Sequence, residues 1–307
     1  MQVEATPRTW GEYIPPAARV RMLFVVALVI GAYWGPINRD LIGRWLNEGA
    51  WSHGFIIPLF SLYILNTRRD ELLRGRPRPN YLGGVIILAS LAMYITGVWK
   101  LMMYPQALSI VGVVFGLVLL FGGWAVMRIA WFPVLFLLFA IPIPGSIYVQ
   151  ITLPLREFAS WSAAALMPLF YSGLVCEAQA VVIDFLRPGK SSGHLNVEEA
   201  CSGMRSLMVI VTLGIAITYL DRNRPTWQRI LMAMSCLPVA LFCNMIRVTT
   251  TGLFVVYDRP DLARGSAHAM LGVLMIVLAG GLFFLFGAVL EHLFVEDSDD
   301  DGQNVAA

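Results

Sequence analysis

Long apolar blocks alternate with short polar connections along this chain of 307 residues. An α-helix needs about 20 consecutive apolar residues to cross the hydrocarbon core of a bilayer. Eight blocks approach or reach that length: Val20–Ile37, Gly54–Asn66, Tyr81–Trp99, Pro105–Trp124, Ile129–Pro144, Gly203–Leu220, Ile230–Tyr257 and Ala267–Leu290. The pattern therefore predicts an all-α polytopic membrane protein with about eight transmembrane helices.

Composition supports this class and argues against others. Hydrophobic residues make up 58% of the chain and charged residues 14%, whereas a soluble domain carries about 25% charged residues. The formal net charge is only +2, and no basic patch lies outside the connections that flank the apolar blocks. We therefore predict membrane lipids as surroundings and no nucleic-acid partner.

Arginine is concentrated in connections that an even number of crossings places on one side of the membrane. The richest are TRRDELLRGRPRPN (residues 67–80) and DRNRPTWQR (residues 221–229), and three more arginines, Arg8, Arg19 and Arg21, lie before or at the very start of the first block. The positive-inside rule makes that side cytoplasmic. We expect both termini in the cytoplasm, a multi-pass protein of the inner (plasma) membrane, one integral membrane domain over residues 1–295 and an acidic, disordered tail over 296–307.

The longest connection on the opposite, extracytoplasmic side is Gly145–Ser202. Its first part, YVQITLPLREFASWSAAALMPLF, is typical of one or two interfacial helices. The β-rich run EAQAVVIDF follows, then the turn-like RPGKSSG and then HLNV. This order predicts a small extracytoplasmic β-hairpin immediately before the sixth predicted span.

Three residues with catalytic potential are expected at the same depth on this outer side. Cys201 precedes the sixth predicted helix, and His268 opens the eighth. Arg247 follows Ile230 by 17 residues, a rise of about 25 Å along a helix. The three successive helices would therefore bring a thiol, a guanidinium and an imidazole together.

The three side chains suit nucleophilic catalysis. A helix N-terminus lowers the pKa of a thiol such as Cys201, with Ser202 available as the N-cap. His268 could accept the thiol proton and later protonate a leaving amine. Arg247 could stabilise an oxyanion, and an arginine within a span is costly enough to indicate a function.

Each of these residues also has a structural explanation. Cys201 could be a small packing residue, Arg247 could extend to lipid headgroups, and His268 could be an interfacial residue. Arg205, one turn after Cys201, could anchor its helix at the interface. The joint arrangement favours a catalytic site.

A metal site is one alternative. Cys201 and His268, with Glu198 or Glu199, are residue types that zinc prefers, but their spacing matches no recognised zinc motif. We therefore predict no metal and no cofactor. The other cysteines, Cys176, Cys236 and Cys243, are expected to be free packing thiols.

Several local strings resemble the exosortase/archaeosortase family of membrane-embedded cysteine transpeptidases. They are LNVEEACSGMRSL, NMIRV, AHAMLG and, earlier, WSHGFIIPLFSLYIL followed by the arginine-rich connection. The resemblance extends from about Trp51 to Gly272, and ACSG-x-RSL is its most specific element. Met204 stands where the family commonly has leucine.

The resemblance implies a catalytic site and a substrate class. It implies Cys201 as the nucleophile with Arg247 and His268 as its partners, and supporting roles for Arg205, Asn244 and His53. Its substrates would be exported proteins with a C-terminal signal made of a short motif, a transmembrane helix and a basic tail (PEP-CTERM-like). Cleavage would leave a thioester on the cysteine, which an amine or water then resolves.

A non-enzymatic membrane component of a polysaccharide export or assembly system is the main alternative function. Transport would require polar residues along a path through the bilayer midplane. The polar residues of this chain are instead expected at the outer ends of its helices. We also disfavour an intramembrane serine protease.

Overall fold

The computed structural model describes residues 16–74, 78–190, 192–197, 205–221, 224–263 and 265–293. Most of these residues are helical, and one small antiparallel sheet accompanies the helices. Backbone contacts divide the chain into two compact units, Met1–Val149 and Gln150–Ala307.

The first unit is built from helices. In chain order they are α1 (Pro16–Ala32), a π-helix (Pro36–Ile42), α2 (Gly43–Asn47), a 3₁₀ helix (Gly49–Phe55), α3 (Ile56–Thr67), α4 (Arg69–Arg74), α5 (Leu82–Trp99), α6 (Met103–Phe136) and a 3₁₀ helix (Leu137–Ala140). Helices α5 and α6 pack closely: a Cβ at Gly83 would lie 2.5 Å from the Gly116 carbonyl oxygen.

The second unit combines helices with the sheet. Helix α7 (Gly145–Leu166) leads into it and is followed by a 3₁₀ turn (Met167–Leu169). The remaining elements are β1 (Val175–Gln179), β2 (Val182–Leu186), β3 (Gly193–Asn196), α8 (Arg205–Leu220), α9 (Thr226–Val256) and α10 (Gly265–Leu293). The predicted interfacial segment is thus one helix, which continues through Pro154.

The predicted number of eight spans is not confirmed. Among the described residues, four helical segments are long and apolar enough to cross a membrane, and a fifth if the bent pair Arg19–Ala32 and Pro36–Asn47 is one span. The four are Leu82–Trp99, Met103–Ala140, Thr226–Val256 and Gly265–Leu293. The block predicted as the second span forms α3, with 12 residues, and 16 residues of the sixth are described as α8; both described lengths fall short of the usual span length.

Two other predicted spans lie within one apolar helical segment, Met103–Ala140. Its helix α6 has 34 residues, which is about 51 Å at 1.5 Å per residue and exceeds the ~30 Å hydrocarbon core. Inside it Gly123 has φ 67° and ψ −168°, a conformation essentially restricted to glycine. The backbone therefore breaks at the boundary between the predicted spans Pro105–Trp124 and Ile129–Pro144.

The predicted hairpin is part of a three-stranded antiparallel sheet in the order β1-β2-β3. The run EAQAVVIDF was expected to form one strand, but it turns at Ala180, where φ is 52°. Glu177 therefore pairs with Asp184, and Asp184 pairs with His194 of β3. The turn predicted at RPGKSSG does connect β2 and β3.

A compact apolar cluster joins the sheet to α7 and α9. It contains Ile183 and Leu195 from the sheet, Ala163 from α7, and Val248 from α9. Gly252 allows α9 to pack closely against Met167, because a Cβ at residue 252 would lie 2.7 Å from the sulfur of Met167. The cluster fixes the sheet beside the C-terminal third of α9.

Candidate active site

Arg247 of α9 and His268 of α10 are in direct contact. The distance between Arg247 Nη2 and His268 Nε2 is 2.6 Å. Arg247 is 3% exposed, and His268 is half-buried in the first turn of α10. Placing an arginine inside a membrane helix costs about 3 kcal/mol even on the mildest scales, so a paired and buried Arg247 is a strong candidate for a function.

The connection between α9 and α10 brings these side chains together. Helix α9 ends at Val256, and Asp258 and Gly265 then adopt φ values of 58° and 63°. These two left-handed positions reverse the chain, so the first turn of α10 returns alongside α9. Antiparallel neighbouring helices thereby place residue 268 opposite residue 247.

The contact determines the protonation of the imidazole in this arrangement. Arginine has no acceptor and keeps its charge in proteins, so Arg247 is the donor. Nε2 of His268 must then be the acceptor, and the ring is neutral with its proton on Nδ1. His268 therefore becomes available as a base at Nε2 only when Arg247 moves its hydrogen bond elsewhere.

Asn244 lies one turn before Arg247 on the same face of α9. Its side chain is 7% exposed, so it adds a buried amide to the polar end of this helix. The backbone of Arg205 begins α8, and its side chain is not among those that the structure describes. Cys201 and Ser202 lie outside the described residues.

The chain that precedes Cys201 is anchored beside α9. Val197 is fully buried, and its N–H donates to the Val181 carbonyl at 2.8 Å. It belongs to the same apolar cluster as Val248, the residue after Arg247. The last described residue before the segment 198–204 is therefore fixed in the neighbourhood of Arg247.

An ionic contact ties the sheet to the end of α9. Arg187 and Lys190, in the turn between β2 and β3, both donate to the carboxylate of Asp258. Arg187 also donates to the Val256 carbonyl at 3.2 Å. Hydrogen bonds from Lys190 and Arg187 lower the pKa of Asp258. Sequence reasoning did not identify this contact, although two basic residues and an acidic residue in two predicted outer connections were a usable signal.

His53 lies in the first unit, in the 3₁₀ turn Gly49–Phe55. Its side chain is 9% exposed, and its ring centroid is 6.1 Å from that of Trp51. Burial lowers its pKa, and hydrogen bonds to the backbone of Phe139 and Ala50 act in the opposite direction. Its burial and its contact with Trp51 give His53 a structural role in this turn.

The described cysteines lack the surroundings of a reactive thiol. Cys236 and Cys243 are buried within α9, and Cys176 lies in β1; all three are free thiols. Burial raises the pKa of Cys176, which disfavours its thiolate. The zinc alternative requires Cys201 and Glu198 or Glu199, and these positions lie outside the described residues.

The string GKSSG at residues 189–193 has the G-x-S-x-G spacing of serine hydrolases. It lies between β2 and β3, whereas a nucleophile elbow requires a strand-to-helix turn. The local fold therefore gives no support to a serine nucleophile at this string.

A family model described as Transmembrane exosortase (Exosortase_EpsH) matches residues 45–285. The match covers well over half of the chain and includes the sheet, the segment 198–204, Arg247 and His268. Neither a curated protein nor a solved structure matches the chain.

Proposed function

This chain belongs to the transmembrane exosortase family, and from that premise we propose that it is a membrane cysteine transpeptidase or protease with Cys201 as its nucleophile. The contact between Arg247 and His268 is the observation that carries the proposal. It joins a fixed cation to a neutral base on neighbouring helices, and these are the two groups that a thiol requires for acyl transfer.

Chain connectivity is compatible with a thiol near this pair. Cys201 follows Val197 by four positions, and four residues of extended chain span at most about 14 Å. Val197 is held in the cluster that contains Val248. Of the four cysteines in the sequence, Cys201 alone lies shortly before the described start of α8 at Arg205, and a thiol near a helix N-terminus has a lowered pKa.

The reaction begins when the substrate carbonyl enters the site. Arg247 transfers its hydrogen bond from His268 to the carbonyl oxygen, and Nε2 of His268 then accepts the proton of the Cys201 thiol. The thiolate attacks the carbonyl carbon, and Arg247 stabilises the oxyanion that forms. This exchange couples substrate binding to activation of the base.

The second half of the reaction reverses the proton transfer. The tetrahedral intermediate expels the amine of the scissile peptide bond, which takes a proton from the His268 imidazolium. A thioester remains on Cys201. An amine or a water molecule attacks it, gives a proton to His268 and releases the acyl product, and the thiolate recovers a proton.

We assign the site to the extracytoplasmic face, with both termini cytoplasmic. At the opposite end of α8, α9 and α10, Arg229 donates to the Thr218 and Tyr219 carbonyls, and Arg224 donates to the Gly287 carbonyl. An arginine-rich end is the cytoplasmic one by the positive-inside rule. The active site is then at the outer end of these helices.

The substrate in this proposal is an exported protein with a C-terminal motif, a transmembrane helix and a basic tail, similar to PEP-CTERM signals. Its helix would remain in the bilayer, with the basic tail held on the cytoplasmic side. The scissile bond, just before the helix, would then lie at the depth of the outer helix ends.

Substitution of Cys201, with substitution of Cys176 as the control, tests this function. Cys201→Ala should abolish conversion of a tagged substrate in cells, because the covalent route is lost. The matched control, Cys176→Ala, should convert substrate at close to the wild-type rate. The measurement is an immunoblot of substrate at equal membrane abundance of each variant. Near-normal conversion by Cys201→Ala would contradict the proposal and favour a non-enzymatic role in polysaccharide export.

A further inference from the structure

The first unit contains a cavity of about 500 Å³, a volume within the usual range for small-molecule sites. Its walls come from the π-helix and α2, from the start of α6, and from residues 142–147. Most of the lining is apolar, and Met102, Met103 and Pro105 contribute to it. The charged residues of the lining are Asp40 and Arg44.

Asp40 is an unusual residue for such a wall. It is 3% exposed. Its Oδ1 accepts a hydrogen bond from Arg39 Nε at 3.2 Å, whereas Oδ2 is buried and has no hydrogen-bond partner among the described residues. A buried carboxylate oxygen without a donor is costly. Because Asp40 lines the cavity, its unpartnered oxygen is the acceptor that the lining can offer to a ligand.

The local backbone places Asp40 in this position. Residues Pro36–Ile42 form a π-helix, in which Pro36, Asp40 and Leu41 are buried. π-Helices are rare and occur frequently at functional sites, because the wider turn reorients side chains at an energetic cost. The π-helical conformation thus places Asp40 on the buried side of this segment, at the wall of the cavity.

Arg44 adds a cation one turn further along. Its Nη2 lies 3.6 Å from the sulfur of Met103, at the cavity wall. Its Nε is 3.6 Å from Glu48 Oε1, in an ion pair whose partners are 29% and 48% exposed. An ion pair that is this exposed contributes little to the stability of the fold. A phosphate, which binds the planar guanidinium through two hydrogen bonds, could displace it.

We propose that this cavity binds an amphiphile whose headgroup carries a primary ammonium next to a phosphate, the chemistry of phosphatidylethanolamine. The ammonium donates to Asp40, the phosphate accepts from Arg44, and the acyl chains follow the apolar wall. Asp40 and Arg44 are four residues apart in consecutive helical segments, so one compact zwitterion can reach both. The proposal does not depend on the chemistry of Cys201.

Lipids that share acyl chains and differ in headgroup test this site. Full-length protein in detergent micelles is incubated with an equimolar mixture of phosphatidylethanolamine, phosphatidylcholine and phosphatidylglycerol, and native mass spectrometry counts the bound lipids. Phosphatidylcholine has no N–H to donate, and phosphatidylglycerol has no ammonium. We expect about tenfold preference for phosphatidylethanolamine, the effect of one charge-assisted hydrogen bond.

Substitutions of Asp40 and Arg44 test whether these residues cause the preference for phosphatidylethanolamine. Asp40→Asn should remove the discrimination between phosphatidylethanolamine and phosphatidylcholine, and Arg44→Gln should weaken the binding of both. The matched control is Asp70→Asn, an exposed acidic residue of α4 outside the cavity, which should behave as wild type. Millimolar phosphoethanolamine distinguishes two sources: displacement of the lipid means that the headgroup alone suffices, and retention means that the acyl chains are required.

Two results would overturn the proposal. One is equal retention of the three lipids by the wild-type protein, which needs no variant and is therefore independent of folding defects. The other is a phosphatidylethanolamine preference that persists unchanged in Asp40→Asn, because the selectivity would then arise elsewhere.

Discussion

At the scale of the residue, the decisive feature is the contact between Arg247 Nη2 and the ring nitrogen Nε2 of His268. In the proposed mechanism, this contact keeps the imidazole from ionising the thiol until a substrate oxygen competes for the guanidinium. Arg247 thus has two successive roles in this proposal, first on the base and then on the oxyanion. Three residues earlier on α9, Asn244 lies on the same face and adds a buried amide near this end of the helix.

Replacing His268 with glutamine separates the contact from proton transfer. The side-chain oxygen of glutamine can accept from Arg247 but cannot carry a proton between groups. We expect His268→Gln to reach normal membrane abundance and to lose about 10²- to 10⁴-fold in substrate conversion, the usual contribution of a general base. His194→Gln, an exposed position on β3, is the control. Comparable conversion by His268→Gln and wild type would show that the histidine is structural.

At the scale of the element, two backbone features were not apparent in the hydropathy pattern. Apolar runs reveal where a chain is buried in a membrane or core, but not where a helix breaks or ends. The conformation of Gly123 and the turn at Ala180 both depend on φ values above zero. Patterning therefore predicted the helical class and the β2–β3 turn, and it missed the conformation of Gly123, the turn at Ala180 and, with that turn, the third strand.

The break in α6 can be tested with a single methyl group. In Gly123→Ala the new Cβ would lie 1.9 Å from the Arg78 carbonyl oxygen, and φ would remain in a region that alanine avoids. We expect a loss of at least about 1 kcal/mol in stability, seen as a lower thermal unfolding midpoint in detergent. Gly84→Ala, where a Cβ meets open space in α5, should be neutral or stabilising. A Gly123→Ala protein as stable as wild type would contradict the break.

The contact between Asp258 and the sheet turn should be local and pH-dependent. Because its folded pKa is lowered, the interaction is fully present above the unfolded value of about 3.9 and is lost as pH falls through the lower folded value. At neutral pH we expect Asp258→Asn to be cleaved faster by protease within residues 187–192, and to convert substrate no more than a few-fold more slowly. Asp261→Asn, an exposed neighbour, should match wild type. Unchanged cleavage in Asp258→Asn would mean that the contact does not hold the turn.

At the scale of the whole molecule, family membership and long apolar helices establish a multi-pass membrane protein. The pairing of Arg247 with His268 followed from the sequence, because the distance of each from its helix end set a common depth. The unpartnered oxygen of Asp40 could not be predicted from the sequence, because the hydropathy pattern does not indicate an aspartate within a π-helix. The role of Arg247 was thus predicted from the sequence, whereas that of Asp40 was found only in the structure.

The orientation has its own test. Ser192→Cys, in the β2–β3 connection, should react with a membrane-impermeant maleimide in intact cells. Arg74→Cys, at the end of α4, should react only after permeabilisation, because the arginine-rich connection is cytoplasmic in this account. The opposite labelling pattern would invert the topology and remove the proposed site from the outer face.

The central claim is that Cys201 forms a thioester with the substrate, with Arg247 and His268 as its partners. The most direct measurement is capture of that adduct: membranes containing the full-length enzyme and a tagged substrate are quenched in acid and analysed by gel and mass spectrometry. The account predicts an enzyme–substrate conjugate at Cys201 that neutral hydroxylamine cleaves, present in Cys176→Ala and missing in Cys201→Ala. An adduct of the same abundance in Cys201→Ala, or one linked to another residue, would contradict it.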